Sequence, residues 1–555
     1  MNVNFLASFQ RLFFTVKPLR FEQVWFRLWR KLYPLRKLNS INTAIAPLNW
    51  VWSAPEVMMG SIIDEHHVCF LNHRGEVRSA VDWNDPSHEK LWLYNLHYFD
   101  DLNAVDSLSR KSSQLSLVNR WIIENPPVSG NGWEPYPLSL RLVNWIKWYN
   151  RAELDDPEII NSIQQQAEAL SKQLEYHILG NHLFSNAKAL VFVGCFLQGD
   201  QAARALQLGL NILKREIPEQ FLSDGGHFEL SPMYHCILLW DLLDLINLAK
   251  TSANSSLTDC LSDWEQFACR ALDWLKVMIH PDGEVSFFND STIGIAASPT
   301  QIFDYAASLG LATTIDSLPS LLTLPCSGYS RISMLGHTTL FDHANVGPDY
   351  LPGHAHADTL SVEWSVGDER VVVNSGTSIY GLSSERLRQR QTAAHSTVEV
   401  NGKDSSEVWS GFRVARRAYG RLVSFIDDGN KVILSASHNG YFRRNKPVIH
   451  NRTLTAEVQQ LKVEDSLDGK PTTAIAYFHL HPDVSITQID SCRLLLSLNS
   501  GKNVILNSSE PIKVLPSTWH PGFGKEIVST KVVIPFSCSE LTTTFKLSSQ
   551  TSLQV

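Results

Sequence analysis

Residues 352–364 read PGHAHADTLSVEW, with His354, His356 and Asp358 at every second position. A strand has a side-chain period of two, so this spacing predicts one face shared by the polar trio and by Leu360, Val362 and Trp364, with Ser361, Glu363 and Ser365 opposite. Three ligand-capable side chains at the inward rim of a sheet suit proton transfer or metal binding. Three further clusters carry chemistry. NGWEPYPLSLR (131–141) places Trp133, Glu134 and Tyr136 before a helix, and GNHLFSNAKAL (180–190) places Asn181, His182 and Asn186 at a helix start. DGGHFELSPMYH (224–235) gathers His227, Glu229, Tyr234 and His235 at a loop-to-helix transition. Taken singly, each has a plainer reading: Asn181 as a helix cap, Tyr234 as a half-buried aromatic, His227 as a satisfied loop histidine.

These residues must be positioned by two kinds of element. From about residue 90 to 315 the apolar period is helical, as in YPLSLRLVNWIKWYN, where Leu138, Leu142, Trp145, Ile146 and Tyr149 share a face. After LPSLLTLPCSG (318–328) the period shortens to short β-rich runs separated by turn residues, including RVVVN, KVILSAS and AIAYFHL. The expected architecture is multidomain, α then β. It comprises a basic amphipathic segment 1–45, a helical domain 46–320 and an antiparallel β-sandwich 321–555.

Composition narrows the function. The chain has 555 residues and a formal net charge of −8, which predicts no general attraction to nucleic acid. Its eight cysteines show no CxxC pair, and most lie in apolar surroundings and read as buried thiols rather than a disulfide framework. The N-terminus carries no cleavable-signal pattern, and no apolar run reaches the roughly 18 residues of a spanning helix. The expected location is therefore cytoplasmic or membrane-peripheral, with the periplasm as the alternative. Phe21–Leu35 mixes Trp25, Phe26, Leu28, Trp29 and Leu32 with basic side chains and could dock on an anionic membrane. The favoured reading is an amphipathic helix packed on the body with its arginines solvated.

Eight ordered pieces together carry a resemblance. They are NLHYFDDL (95–102), NGWEPYPLSLRLVNW, GNHLFSNAKAL, DGGHFELSPMYH, GHAHADTLS, VVVNSGTSIYG (371–381), RQTAAHSTVEVNG (390–402) and HNGYFRRNKPVIHNR (438–452). With the basic start KPLRFEQVWFRLWRKL, the sequence resembles the heparinase II/III-like polysaccharide lyases over most of its length. That resemblance implies an incomplete α/α-toroid followed by an antiparallel β-sandwich. It also implies β-eliminative cleavage of an acidic polysaccharide beside a uronic acid, without an organic cofactor. The C5 proton is adjacent to a carboxylate, so an enzyme must neutralise that carboxylate, remove the proton and protonate the leaving O4.

By the same resemblance Asn181 binds the substrate carboxylate with His182 in support. Tyr234 is the acid, or base and acid in turn, and His354 is the complementary base. Glu229 orients, and His235 with the second-domain basic residues is a candidate to stabilise a Tyr234 phenolate. Trp133, Tyr136 and Tyr98 are candidates to stack sugar rings. The runs Arg386–Arg388–Arg390, Arg413–Arg416–Arg417 and Arg443–Arg444–Lys446 are candidates to grip substrate anions, Arg390 foremost. His356 and His395 resemble the ligands of a structural divalent metal, zinc or calcium. The third position is Asn374, where the family usually carries aspartate; a neutral amide is a poorer ligand, and hydrogen bonding without metal is the alternative. Asp358 is expected to orient His354 or His356. Two rival functions share the residues: a uronate C5-epimerase, and a catalytically silent polysaccharide-binding protein in capsule or exopolysaccharide production. Residue types do not specify the polymer or the oligomeric state.

Overall fold

The computed structural model describes residues 3–38, 48, 50–443, 446–537 and 539–548. Residue 46, Arg444 and Cys538 lie outside them, as do the side chains of Arg443 and Lys446. Among the described residues the helical half runs through nine α-helices, from Lys90–Tyr98 to Pro299–Ser308. Their starts follow capping chemistry. Asp156 accepts from the N–H groups of Glu158 (2.9 Å) and Ile159 ahead of Pro157, and Ser298 forms a reciprocal pair with Gln301. The helices wrap one aromatic-rich core in which Trp121, Trp145 and Trp148 are fully buried. A short hairpin, His67–Phe70 with His73–Glu76, precedes these helices.

The second half begins with strand Leu321–Leu324 and forms two antiparallel sheets of nine strands each. One sheet is a middle layer. Its strand Val362–Val366 turns Val362, Trp364 and Val366 into the sandwich core. Glu363 and Ser365 face the helical domain instead, where both accept or share hydrogen bonds with His280 at 2.8 Å. Arg331 donates to the Val277 carbonyl at 3.0 Å, and Arg370 grips Asp282 through two contacts of 2.6 and 3.1 Å. Trp274, Val277 and Met278 meet Leu324, Tyr329 and Leu340 in a small apolar cluster between the halves. The second half is not purely β, because a short helix, Ser384–Arg390, lies beside the cleft.

One local expectation fails. The strand does not reach back to residue 354: it starts at Val362, and 352–361 is a loop ending at Leu360 with φ +65°. That left-handed residue breaks the alternation, so His354, His356 and Asp358 do not continue the face of Val362 and Trp364, which turn into the sandwich core.

Candidate active site

A cleft of about 490 Å³ runs between the toroid and the sandwich. Asn181, His182, Tyr136, Tyr234 and His354 all line it, as do Tyr98 and two residues the sequence analysis did not single out, Tyr380 and Phe412. Asn181 and Tyr234 each sit in the first turn of a helix. Tyr234 belongs to Pro232–Thr251, whose cap Ser231 accepts from the Tyr234 N–H at 3.2 Å. Asn181 belongs to Gly180–Phe196, and its N–H donates to Glu229 Oε1 at 3.3 Å. Leu179 (φ +72°), Leu230 (φ +59°) and Leu360 (φ +65°) border the three segments that bring these groups together. Such backbone costs about 1–3 kcal/mol per residue and persists only where surrounding contacts enforce it. Gly180 also has a positive φ, and a Cβ there would lie 2.4 Å from the Leu351 side chain and 2.9 Å from that of Glu229, so any other residue would be strained and would displace both.

The rings of Tyr234 and His354 stack with centroids 3.8 Å apart, one from each domain. The Tyr234 hydroxyl meets that of Tyr380 at 3.2 Å. Burial, reinforced by Tyr380 and Tyr136, holds the Tyr234 phenol well above its usual pKa, so the free protein keeps it protonated. His354 Nδ1 donates to Asp290 Oδ2 at 2.9 Å, and its Nε2 lies 3.4 Å from Glu229. Burial raises Glu229 above the ordinary glutamate value despite His354 and the Asn181 N–H. His182 Nδ1 is 3.0 Å from Glu175, and its ring lies against Tyr136 with centroids 4.3 Å apart. Burial opposes charge on His182, but Glu175 outweighs it and raises the imidazole pKa. A cationic imidazole beside Asn181 is suited to meet a carboxylate.

Asp290 organises the sandwich side. This fully buried carboxylate binds the Arg386 guanidinium through both oxygens, accepts from His354, and accepts from His356 Nε2 at 2.8 Å. Burial opposes its charge, yet Arg386 and the two histidines hold its pKa well below the usual range. Its backbone N–H donates to the His354 carbonyl at 3.0 Å, and its carbonyl accepts from Ser231 at 2.5 Å. The neighbouring Asn289 donates from its amide to the Leu230 carbonyl, accepts from the His356 N–H, and donates its own N–H to Asp358. Asn289–Asp290 thus clips the start of the Tyr234 helix to the His354 loop. Asp358 orients neither histidine by direct contact; it holds Asn289. The only local sequence signal was a polar pair directly after Phe287-Phe288.

Several expected site residues lie elsewhere. Trp133 is buried against Trp121, with Nε1 donating to the Asn125 carbonyl at 3.1 Å. His235 is buried on Trp274, shares Nε2 with the Ala271 carbonyl, and is pushed down to about 3 by burial, so it offers no positive charge to Tyr234. Arg390 is buried and donates to the Ala355 carbonyl at 2.9 and 3.2 Å, which supports the His354 loop rather than a substrate. Arg388 pairs with Glu385, Arg416 with Glu407, and Arg417 with Asp349. The described arginines of these runs are mostly spent on the fold. Lys90, exposed at the cleft, is itself paired with Glu134, and His182, whose pKa Glu175 raises, is the other basic group there.

His356 and His395 meet as expected, with Nδ1 of the first 3.2 Å from Nε2 of the second. Asn374 is not a third ligand on the same point. Its Oδ1 meets the other nitrogen of His395 at 3.2 Å and accepts from the Ser396 N–H at 3.1 Å. The chain Asp290–His356–His395–Asn374 contains three contacts between two terminal acceptors, which require three protons. Burial pushes His356 down to about 4 and His395 well below its usual value, so two neutral rings supply only two. If the outer nitrogens donate to Asp290 and Asn374, two lone pairs face each other across 3.2 Å. Zinc–nitrogen bonds of about 2.0–2.1 Å place tetrahedral ligands at a similar separation. The two facing nitrogens offer two of the four ligands a structural zinc takes, with Asp290 and Asn374 orienting the rings.

Comparison with known proteins matches this architecture. A family profile described as Heparinase II/III N-terminus matches residues 119–309, and one described as Heparinase II/III-like, C-terminal matches residues 317–548. The chain belongs to the heparinase II/III-like family. Within it, a protein named heparin-sulfate lyase from Bacteroides stercoris is 25% identical over 368 residues, covering 60% of this chain and 52% of that protein. One of the same name from Pedobacter heparinus is 40% identical over 79 residues, 14% of this chain and 12% of that protein. The chain thus spans about half the length, or less, of these relatives. Among solved structures, one titled Heparinase III aligns with TM-score 0.66 and 17% identity, covering 86% of this chain and 79% of the other. A heparan sulfate lyase from Pedobacter heparinus aligns with TM-score 0.58 and 18% identity over the same shares. These likenesses establish a toroid followed by a sandwich.

Proposed function

We propose that this protein is a polysaccharide lyase that opens a glycosidic bond beside a uronic acid by β-elimination. The observation that carries the reading is the stacked Tyr234–His354 pair, contributed by opposite walls of one cleft beside Asn181 and His182. Asn181 and cationic His182 bind the uronate carboxylate and stabilise the extra charge that develops as the C5 proton leaves. His354, held by Asp290, accepts that proton through Nε2. Tyr234, kept protonated by burial, donates to the leaving O4. The C4–O4 bond breaks as the C4–C5 double bond forms, so no oxidant or organic cofactor is required. Tyr98 and Tyr136 offer faces to the sugar rings. The two histidines His356 and His395 would hold a structural divalent cation, which supplies the charge that the hydrogen-bonded chain lacks. The relatives' names make a glycosaminoglycan the first polymer to try.

The test is incubation with a panel of acidic polysaccharides, followed by ultraviolet absorbance and mass analysis of the products. Shortened chains ending in an unsaturated uronate support the reading. Deuterium uptake at C5 from heavy water without chain cleavage would assign an epimerase, and tight binding with neither change would assign a binding protein.

A further inference from the structure

Amphipathic helices on a protein surface normally turn their apolar face inward. The two N-terminal helices do the reverse. In Phe21–Leu32 the inward residues are polar or mixed. Gln23 is buried and donates to the carbonyls of Ile178 (3.3 Å) and Tyr350 (3.1 Å), one from each half of the molecule. Arg30 reaches the His177 ring at 2.9 Å, and Phe26 stacks on Tyr176. The outward face carries Phe21, Val24, Trp25, Leu28, Trp29 and Leu32, at positions i, i+3, i+4, i+7, i+8 and i+11. Their exposures run from 40% for Val24 to 81% for Phe21, with both tryptophans near half. Phe21, Trp25, Trp29 and Tyr33 form a ladder along that face, with successive ring centroids 6.3, 6.2 and 4.4 Å apart.

The first helix, Val3–Val16, repeats the pattern. Its inward side bonds to the sandwich, with Thr15 accepting from Trp409 at 3.1 Å and Gln10 accepting from Arg416 at 2.9 Å. Phe9, Leu12, Phe13 and Val16, at i, i+3, i+4 and i+7, are 46–61% exposed. Exposed Lys17, Arg27, Lys31, Arg36 and Lys37 flank these faces. Residues 1–40 hold eight Lys or Arg against one Glu, and the remainder holds 40 against 55 Asp or Glu. Among the described residues no helix is long and apolar enough to cross a membrane.

We propose that this helix pair lies on an anionic lipid surface, with its apolar face in the headgroup boundary and its lysines and arginines on lipid phosphates. Aromatic side chains at mid-exposure with a cationic rim are the composition such an interface selects. The pair grips both domains, so docking would present the whole protein, with its cleft, at the membrane.

The experiment is sedimentation of the full chain with vesicles of phosphatidylcholine alone or of equimolar phosphatidylcholine and phosphatidylglycerol. Binding is expected to the anionic vesicles, with a blue shift of tryptophan emission, and should weaken as salt rises. Two variants, Trp25→Ser/Trp29→Ser and Lys17→Glu/Lys31→Glu, should each lose about ten-fold or more in vesicle affinity at an unchanged melting temperature. Absence of binding to anionic vesicles at low salt would overturn the proposal, as would unchanged binding by both variants. A dimer seen by light scattering that Trp25→Ser/Trp29→Ser dissociates would also overturn it, by making a second copy the occupant of this face.

Discussion

The two walls of the cleft are built on different principles. The toroid wall places Asn181 and Tyr234 in the first turns of regular helices, and the rules that put them there are local: a cap, a proline, a glycine. The sandwich wall places His354 on an irregular loop held from a distance by Asn289, Asp290, Arg386 and Arg390. A helix N-terminus is specified by about five consecutive residues. The loop depends on a buried charge whose partners lie 64 and 96 positions away in sequence. The sandwich wall should therefore be the more fragile of the two.

The largest effect should come from Asp290→Asn, which leaves Arg386 buried without its counter-charge. A loss of about 3–5 kcal/mol of stability is expected, against about 2 kcal/mol for Ser231→Ala, which removes the cap of the Tyr234 helix and one neutral hydrogen bond to the Asp290 carbonyl. Chemical denaturation of both variants measures the difference, and equal losses would erase the distinction between the walls. The next effect concerns the cation. Elemental analysis should find close to one divalent metal per chain, and a chelator should lower the melting temperature. Asn374→Asp should tighten retention by strengthening the acceptor on His395. A metal-free protein with a melting temperature indifferent to chelator would leave His356 and His395 a shared proton instead.

The smallest effect is in pH dependence, and it belongs to the toroid wall. His182 has a raised folded pKa, so its pairing with Glu175 stabilises fully below the ordinary histidine value of 6.5 and is lost as pH rises through the raised value. The carboxylate partner works in the opposite direction: burial opposes its charge, but His182 lowers the Glu175 pKa, so that contribution is lost as pH falls through the lowered value. The alkaline limb of turnover should follow His182. In His182→Gln that limb should move, and an unmoved limb would assign it to another group.

The same contrast explains what the sequence disclosed. Helical period, the change after the 318–328 stretch and the GNHLF and SPMYH turns were readable because they rest on neighbours. HAHAD was misread as strand because alternation alone does not reveal a left-handed Leu360. Arg386 and Arg390 looked like substrate ligands because charge in a run carries no sign of burial. Asp290 and Tyr380 were missed since their partners come from other parts of the chain. Trp133 and His235 were drawn to the site by adjacency in sequence, while their helices point them into the core.

Tyr234→Phe tests the central claim most directly, since it keeps the ring stacked on His354 and deletes the proton intended for O4. On a polysaccharide the parent cleaves, turnover should fall by roughly two to four orders of magnitude, with a stability change of only about 1 kcal/mol. Near-parental turnover would contradict the account and make Tyr380, whose hydroxyl lies 3.2 Å away, the next proton donor to examine.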